Sequence, residues 1–218
     1  MNGHNEKIVD AVKKAISKSK SGTLFFISTF PEYDDEYVGK VLADCNRLGL
    51  IIRISNGIYL KPAKSKFGMI YPTSDEIVKA IAKRDKCEII PTGNTSLNLL
   101  GLSTQVPMNT EYLTSGSTRI IKYAGRTIRL KHGMPKNFAA KGKITRILIQ
   151  AMKAIGKENI TAQDVDNIRI IMRKYNESDT MGFDLQVMPL WIKKIVMSII
   201  NETDKLKSNE DLAKQSTE

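Results

Sequence analysis

Residues 21–62, SGTLFFISTFPEYDDEYVGKVLADCNRLGLIIRISNGIYLKP, decide how this chain is read. Leu24–Ile27 is a short apolar run that reads as a strand, and Ser28 or Thr29 is placed to cap a brief helix. Pro31 and the acidic cluster Asp34-Asp35-Glu36 mark the start of a second helix, because carboxylates favour the positive end of a helix dipole. Val38, Val41, Leu42, Cys45 and Leu48 recur at spacings of three and four and define its inner face. Gly49 stands where a left-handed C-terminal residue is needed. Two β-branched runs then flank Asn56-Gly57, a pair that favours a two-residue hairpin with positive φ at both positions. Strand, helix, helix and hairpin in that order predict a winged helix-turn-helix, with an amphipathic helix over 5–19 (Ile8, Val12, Ala15, Ile16) in front of it.

The chain has 218 residues, with 34 Lys+Arg against 23 Asp+Glu and a net charge of +11. That length admits one or two domains. The charge favours polyanionic partners and says nothing about fold. It is uneven. Residues 1–66 hold 11 basic and 7 acidic side chains, net +4; 67–174 hold 18 and 8, net +10; 175–218 hold 5 and 8, net −3.

Pro62, Gly68 and alternating lysines interrupt the pattern, so the expected boundaries are a winged helix over 1–63, a linker over 64–71 and a second domain over 72–202. That second domain opens on Thr73 and Glu76 at capping-box spacing, with Ile77, Ala80 and Ile81 on a helix face. Glu88–Ile90, Glu111–Thr114, Thr118–Tyr123 and Arg126–Lys131 read as strands, the last two joined through Ala124-Gly125. Ile144 to Ile155, Val165 to Met172 and Trp191 to Ile199 read as helices. The polar stretch 203–218 reads as a disordered tail. The expected class is α+β: a winged helix, then a mixed α/β domain with a small antiparallel sheet and C-terminal helices.

In a winged helix the second helix of the motif enters the major groove and the hairpin touches the backbone or minor groove. The outward candidates on that helix are Tyr37, Lys40 and Arg47; those in the wing are Arg53, Asn56 and Lys61. Asp34, Asp35, Glu36 and Asp44 oppose them, since like charge weakens phosphate affinity. A second basic patch comprises Arg119, Lys122, Arg126, Arg129, Lys131 and Lys136, with Arg129 and Lys131 on one strand face and Ile128 and Leu130 on the other. It suits phosphate, an acidic protein surface, or a solvated edge.

Catalysis is not expected. His4 and His132 are isolated, Cys45 and Cys87 have no metal spacing, and Thr92-Gly93-Asn94-Thr95 lacks the lysine and glycines of a P-loop. No metal or cofactor is expected. No signal peptide or membrane span is read, and a cytoplasmic location follows.

The segments GTLFF (22–26), VGKVLADCNRLGLIIRISNGIYLKP (38–62), PTSDEIVKAIAKRD (72–85), IIPTGNTSLNLLGLSTQVP (89–107) and EYLTSGSTRIIKYAGRTIRLKH (111–132) resemble the bacterial AbiE-type antitoxins. More narrowly, they resemble a related winged-helix family encoded beside nucleotidyltransferase toxins. The resemblance spans about residues 5–175. It implies an N-terminal domain that binds inverted repeats of double-stranded DNA in its own promoter. It also implies a C-terminal antitoxin domain acting against a nucleotidyltransferase toxin, with or without a stable complex, in a type IV abortive-infection system of phage defence. The DNA-contacting elements would be the helix 35–48 and the wing 51–61. Two other readings stay open: a protein-interaction module whose basic C-terminal domain grips an acidic partner, and an RNA-binding protein.

Overall fold

The computed structural model describes the backbone of residues 2–215 and the side chains of 6–203 and 205. Among the described residues the chain is a mixed α+β protein with eight α-helices and three small sheets. It divides into two compact units: residues 1–89 with 119–129, and residues 90–118 with 130–218. This division differs from the boundaries expected from sequence: residues 64–89, expected as linker and as the start of the second domain, and residues 119–129, from the middle of the chain, belong with the N-terminal segment.

The first unit opens with α1 (Asn2–Lys18), whose Ile8, Val12 and Ile16 are buried. Strand β1 (Leu24–Phe25) follows, then a single 3-10 turn (Ile27–Thr29) where a helix is expected. The turn stops early because Phe30 precedes Pro31 and is pushed out of the helical region, at φ −123° and ψ 61°. Helix α2 (Asp35–Arg47) starts at Asp34, whose carboxylate accepts from the Tyr37 amide at 2.9 Å. It buries Val38, Val41, Leu42 and Cys45, and Gly49 ends it at φ +72°.

Strands β2 (Ile52–Ser55) and β3 (Ile58–Leu60) form the expected hairpin. Strand β3 is central, with β1 on its other side; Leu24 faces Leu60 and Phe25 faces Tyr59. One expectation fails here: only Gly57 has positive φ (+67°), and Asn56 does not. A register shift between Arg53 and Ser55 supplies the local twist instead. The core of this part joins Val12, Phe25, Phe30, Leu42, Ile51 and Tyr59, with the Phe25 and Phe30 rings stacked at 6.4 Å. Burial pushes the Cys45 thiol above its ordinary range, which suits a core side chain rather than a reactive one.

The expected linker is structured. Strands β4 (Ala63–Ser65) and β5 (Gly68–Ile70) pair antiparallel around Lys66-Phe67, with Gly68 at φ +116°. Helix α3 (Ser74–Asp85) carries the expected capping box: the Thr73 amide donates to Glu76 at 2.7 Å, and the Glu76 amide donates to the Thr73 hydroxyl at 3.2 Å.

Strand β6 (Ile89–Thr92) leads to α4 (Gly93–Leu99) and β7 (Asn109–Thr114). Strands β8 (Arg119–Tyr123) and β9 (Arg126–His132) follow, and the sheet order is β6-β7-β9-β8. Ala124 (φ +45°) and Gly125 (φ +73°) give the β8–β9 hairpin the doubly left-handed turn that Asn56-Gly57 lacks.

In the second unit, α5 (Lys143–Ile155), α6 (Ala162–Tyr175), α7 (Ser178–Val187) and α8 (Leu190–Gln215) pack around Leu148, Met152, Ile168, Ile192 and Val196. Two carboxylates from α7 and the residue before it hold the start of α5. Fully buried Asp184 accepts from the Lys141 and Gly142 amides at 2.6 and 2.9 Å, and Glu177 accepts from the Ile144 and Thr145 amides, each at 2.9 Å. The polar stretch expected to be disordered from Thr203 continues α8 to Gln215, in keeping with its Lys, Glu, Leu and Ala content; residues 216–218 lie outside the described part. No described helix is long and apolar enough to cross a membrane.

Candidate nucleic-acid interface

Helix α2 buries one face and turns Lys40, Asp44 and Arg47 outward. Both cations are already paired along the helix: Lys40 with Glu36 at 2.7 Å, and Arg47 with Asp44. The hydrogen bond and charge of Glu36 hold the Lys40 ammonium above its ordinary pKa. Tyr37 is half-buried and packs against the core of the unit, so only part of it faces outward.

In the β2–β3 hairpin Arg53 and Asn56 are exposed, and the Arg53 guanidinium donates to the Asn56 side-chain oxygen. The Arg53 amide donates to the Asn46 side-chain oxygen at 2.8 Å. Asn46 thus ties the hairpin to α2, a role invisible in sequence because it depends on where the chain returns.

Lys61 sits elsewhere. Its ammonium donates to the carbonyls of Ile16, Ser17 and Ser19 at 2.7, 2.9 and 2.7 Å. These are carbonyls that the end of α1 leaves without helical partners. With all three donors engaged, Lys61 holds α1 and leaves the set of candidate contacts.

The second patch splits. Arg119, Lys122, Arg126 and Arg129 belong to the same compact unit as α2 and the β2–β3 hairpin, and β8 runs beside β2. Arg119 is half-buried and lies 3.7 Å from Asp85, whose carboxyl is held below its ordinary range by the Arg84 hydrogen bond and by both arginine charges. Among the described residues, exposed Lys122, Arg126 and Arg129 have no ion-pair partner. Alternation along β9 is as expected, with Ile128 and Leu130 buried and Arg129 and Lys131 exposed. Lys131 and Lys136 belong to the second unit, where Lys131 pairs with Glu111 at 3.0 Å. The first unit therefore presents exposed cations from two hairpins and a paired set on α2.

The second unit contains a cleft of about 730 Å³ that no sequence motif announces. Leu148, Met172, Met181 and Ile199 line it, with Arg173 and Glu177. The Glu177 carboxylate is engaged with the start of α5, including the Thr145 hydroxyl at 2.9 Å.

Residues 11–180 match a family of unknown function, DUF6088, and the chain belongs to that family. No protein of curated function matches it.

Proposed function

We propose that the first unit is a winged helix that binds double-stranded DNA, with α2 in the major groove and the β2–β3 hairpin on its flank. The observation that carries this reading is the grouping of Lys122, Arg126 and Arg129, exposed and unpaired among the described residues, in one compact unit with α2 and Arg53. The order of elements supports it too: helix, strand, turn, helix, hairpin, with β1 paired to β3. Phosphates are the natural ligands of such cations, and backbone contacts of this kind fix register on the duplex.

The biological reading we attach to this is a cytoplasmic, non-catalytic autorepressor and antitoxin opposed to a nucleotidyltransferase toxin. Its support is the resemblance of residues 22–62 and 89–107 to AbiE-type antitoxins. The operator would lie in the chain's own promoter, and the second unit would carry antitoxicity.

The test is fluorescence anisotropy with labelled DNA from upstream of the gene, against scrambled DNA, across a salt series. Specific binding is expected, and Arg53→Ala and Arg126→Ala should each lower the salt slope by about one. Equal binding of both DNAs, with slopes that neither substitution changes, would refute the interface.

A further inference from the structure

We propose that the β4–β5 hairpin is a second DNA-contacting arm, with Phe67 as a wedge between base pairs and Lys64 and Lys66 on the flanking phosphates. The proposal rests on the DNA-binding reading of the first unit and adds a site that this reading does not contain.

The hairpin is built like an arm. Lys64 to Tyr71 are all exposed, and no other element packs substantially on β4 or β5 among the described residues. An isolated two-stranded hairpin is marginal in water. This one also carries Met69, Ile70 and Tyr71 in the open, with Phe67 at its tip 98% exposed. Apolar surface concentrated in so short a segment marks an interaction site. The tip is nonetheless ordered: the Ser65 hydroxyl donates to the Gly68 carbonyl at 3.1 Å and accepts from the Phe67 amide at 3.2 Å.

Charge identifies the partner. Residues 62–71, PAKSKFGMIY, contain two lysines and no carboxylate, and neither lysine has an ion-pair partner among the described residues. An apolar tip flanked by cations suits a polyanion with an apolar interior. The base of the arm points to the same one. The Tyr71 ring lies 6.5 Å from that of Tyr123, whose hydroxyl is 3.1 Å from the Ser74 hydroxyl. Tyr123 ends β8, so the arm springs from beside the β8–β9 hairpin, the same hairpin that carries Lys122, Arg126 and Arg129.

Reach is sufficient. Three strand residues and a turn extend about 10 Å, against a minor groove about 7.5 Å deep. Minor-groove binders commonly insert Phe, Leu, Ile, Met or Pro between base steps and kink the duplex by about 20–90°.

The experiment uses the full chain and a 30-bp duplex (length chosen about three helical turns) from upstream of its gene, with donor and acceptor dyes at its ends. Wild type is expected to shorten the end-to-end distance. Phe67→Ala should abolish the bend and weaken binding about 10-fold, or about 1.4 kcal/mol. Phe67→Leu should keep both, because leucine also serves as a wedge. The double substitution Lys64→Ala, Lys66→Ala should lower the salt slope by about two. Unchanged thermal unfolding of Phe67→Ala verifies that the fold is intact.

If wild type binds and Arg53→Ala weakens it, while Phe67→Ala leaves affinity, slope and bend unchanged, the arm is refuted and the winged-helix reading stands. If wild type shows no specific binding, both fall. Loss of binding to anionic vesicles or to a co-expressed protein in Phe67→Ala, with DNA bending intact, would overturn the arm in favour of that partner.

Discussion

Lys61→Met separates two roles that the sequence assigns to one kind of residue. Methionine keeps an apolar stem of similar length beside Ile16 and Leu50 but removes the three donors that reach Ile16, Ser17 and Ser19. A charge-assisted hydrogen bond contributes up to about 1.5–3 kcal/mol, and a cation at a helix C-terminus about 0.3–1 kcal/mol. Lys61 is half-buried, and water can take over part of its role at these carbonyls. We therefore expect a loss of about 2 kcal/mol, not the sum of three full bonds. The first unit comprises residues 1–89 and 119–129, a size at which each kcal/mol shifts Tm by about 4–8 °C. The expected drop is about 8–16 °C, read by circular dichroism. The salt slope for DNA should stay at the wild-type value, because this ammonium faces α1. Arg53→Ala should do the reverse, leaving Tm within about 2 °C and lowering the slope by about one. A Lys61→Met protein of wild-type Tm with a reduced slope would refute the capping role and return Lys61 to the interface.

Three further outcomes follow from the same geometry. Asp184→Asn puts an amide NH₂ against one of two backbone donors and should cost the second unit about 3 kcal/mol in urea unfolding, followed by the fluorescence of Trp191, the sole tryptophan, which packs against that core; a change below about 1 kcal/mol would count against the buried cap. Glu36→Gln with Asp44→Asn removes two carboxylates from the outward side of α2 and should raise DNA affinity about 2- to 3-fold per charge at low salt, fading as salt rises; unchanged affinity in the same anisotropy assay would mean α2 does not face phosphate. Asp85 has a depressed pKa, so its contribution is complete above the ordinary carboxylate value of about 4 and is lost as pH falls through its folded value; the stability gap between wild type and Asp85→Asn should be flat above about pH 5 and shrink below pH 4, and a gap that grows on acidification would contradict the assignment.

The sequence made the first unit legible wherever local chemistry decides. Four positions of the apolar stripe of α2, the stop at Gly49, the capping box at Thr73 and the alternation along β9 appear where periodicity and capping place them. Leu48, expected on that inner face, caps the helix end instead and is 65% exposed. What escaped depends on tertiary placement. Asn46 and Lys61 have ordinary polar surroundings in sequence, and their partners lie seven and more than forty residues away. The β4–β5 hairpin looked like a linker because its residues face no core, so no hydrophobic alternation marks it. Helix α7 has almost no amphipathic pattern, and its most informative residue, Asp184, is a buried carboxylate whose purpose lies at the start of α5.

The paired charges on α2 bear on how such an interface would divide its work. On the proposed reading Lys40 and Arg47 would each have to leave a carboxylate to meet phosphate, so their net gain on docking would be small, and Glu36 and Asp44 would repel the backbone wherever the fit is poor. Lys122, Arg126 and Arg129 have no such partner among the described residues and would gain fully from counterion release. On the proposed reading, affinity and its salt dependence would come mostly from the hairpins, whereas α2 would contribute discrimination, partly by penalising wrong sequences. An interface of that kind predicts unequal effects. Removing a hairpin cation should weaken specific and non-specific binding alike, while neutralising Glu36 and Asp44 should strengthen non-specific binding more than specific binding and so narrow the ratio between them.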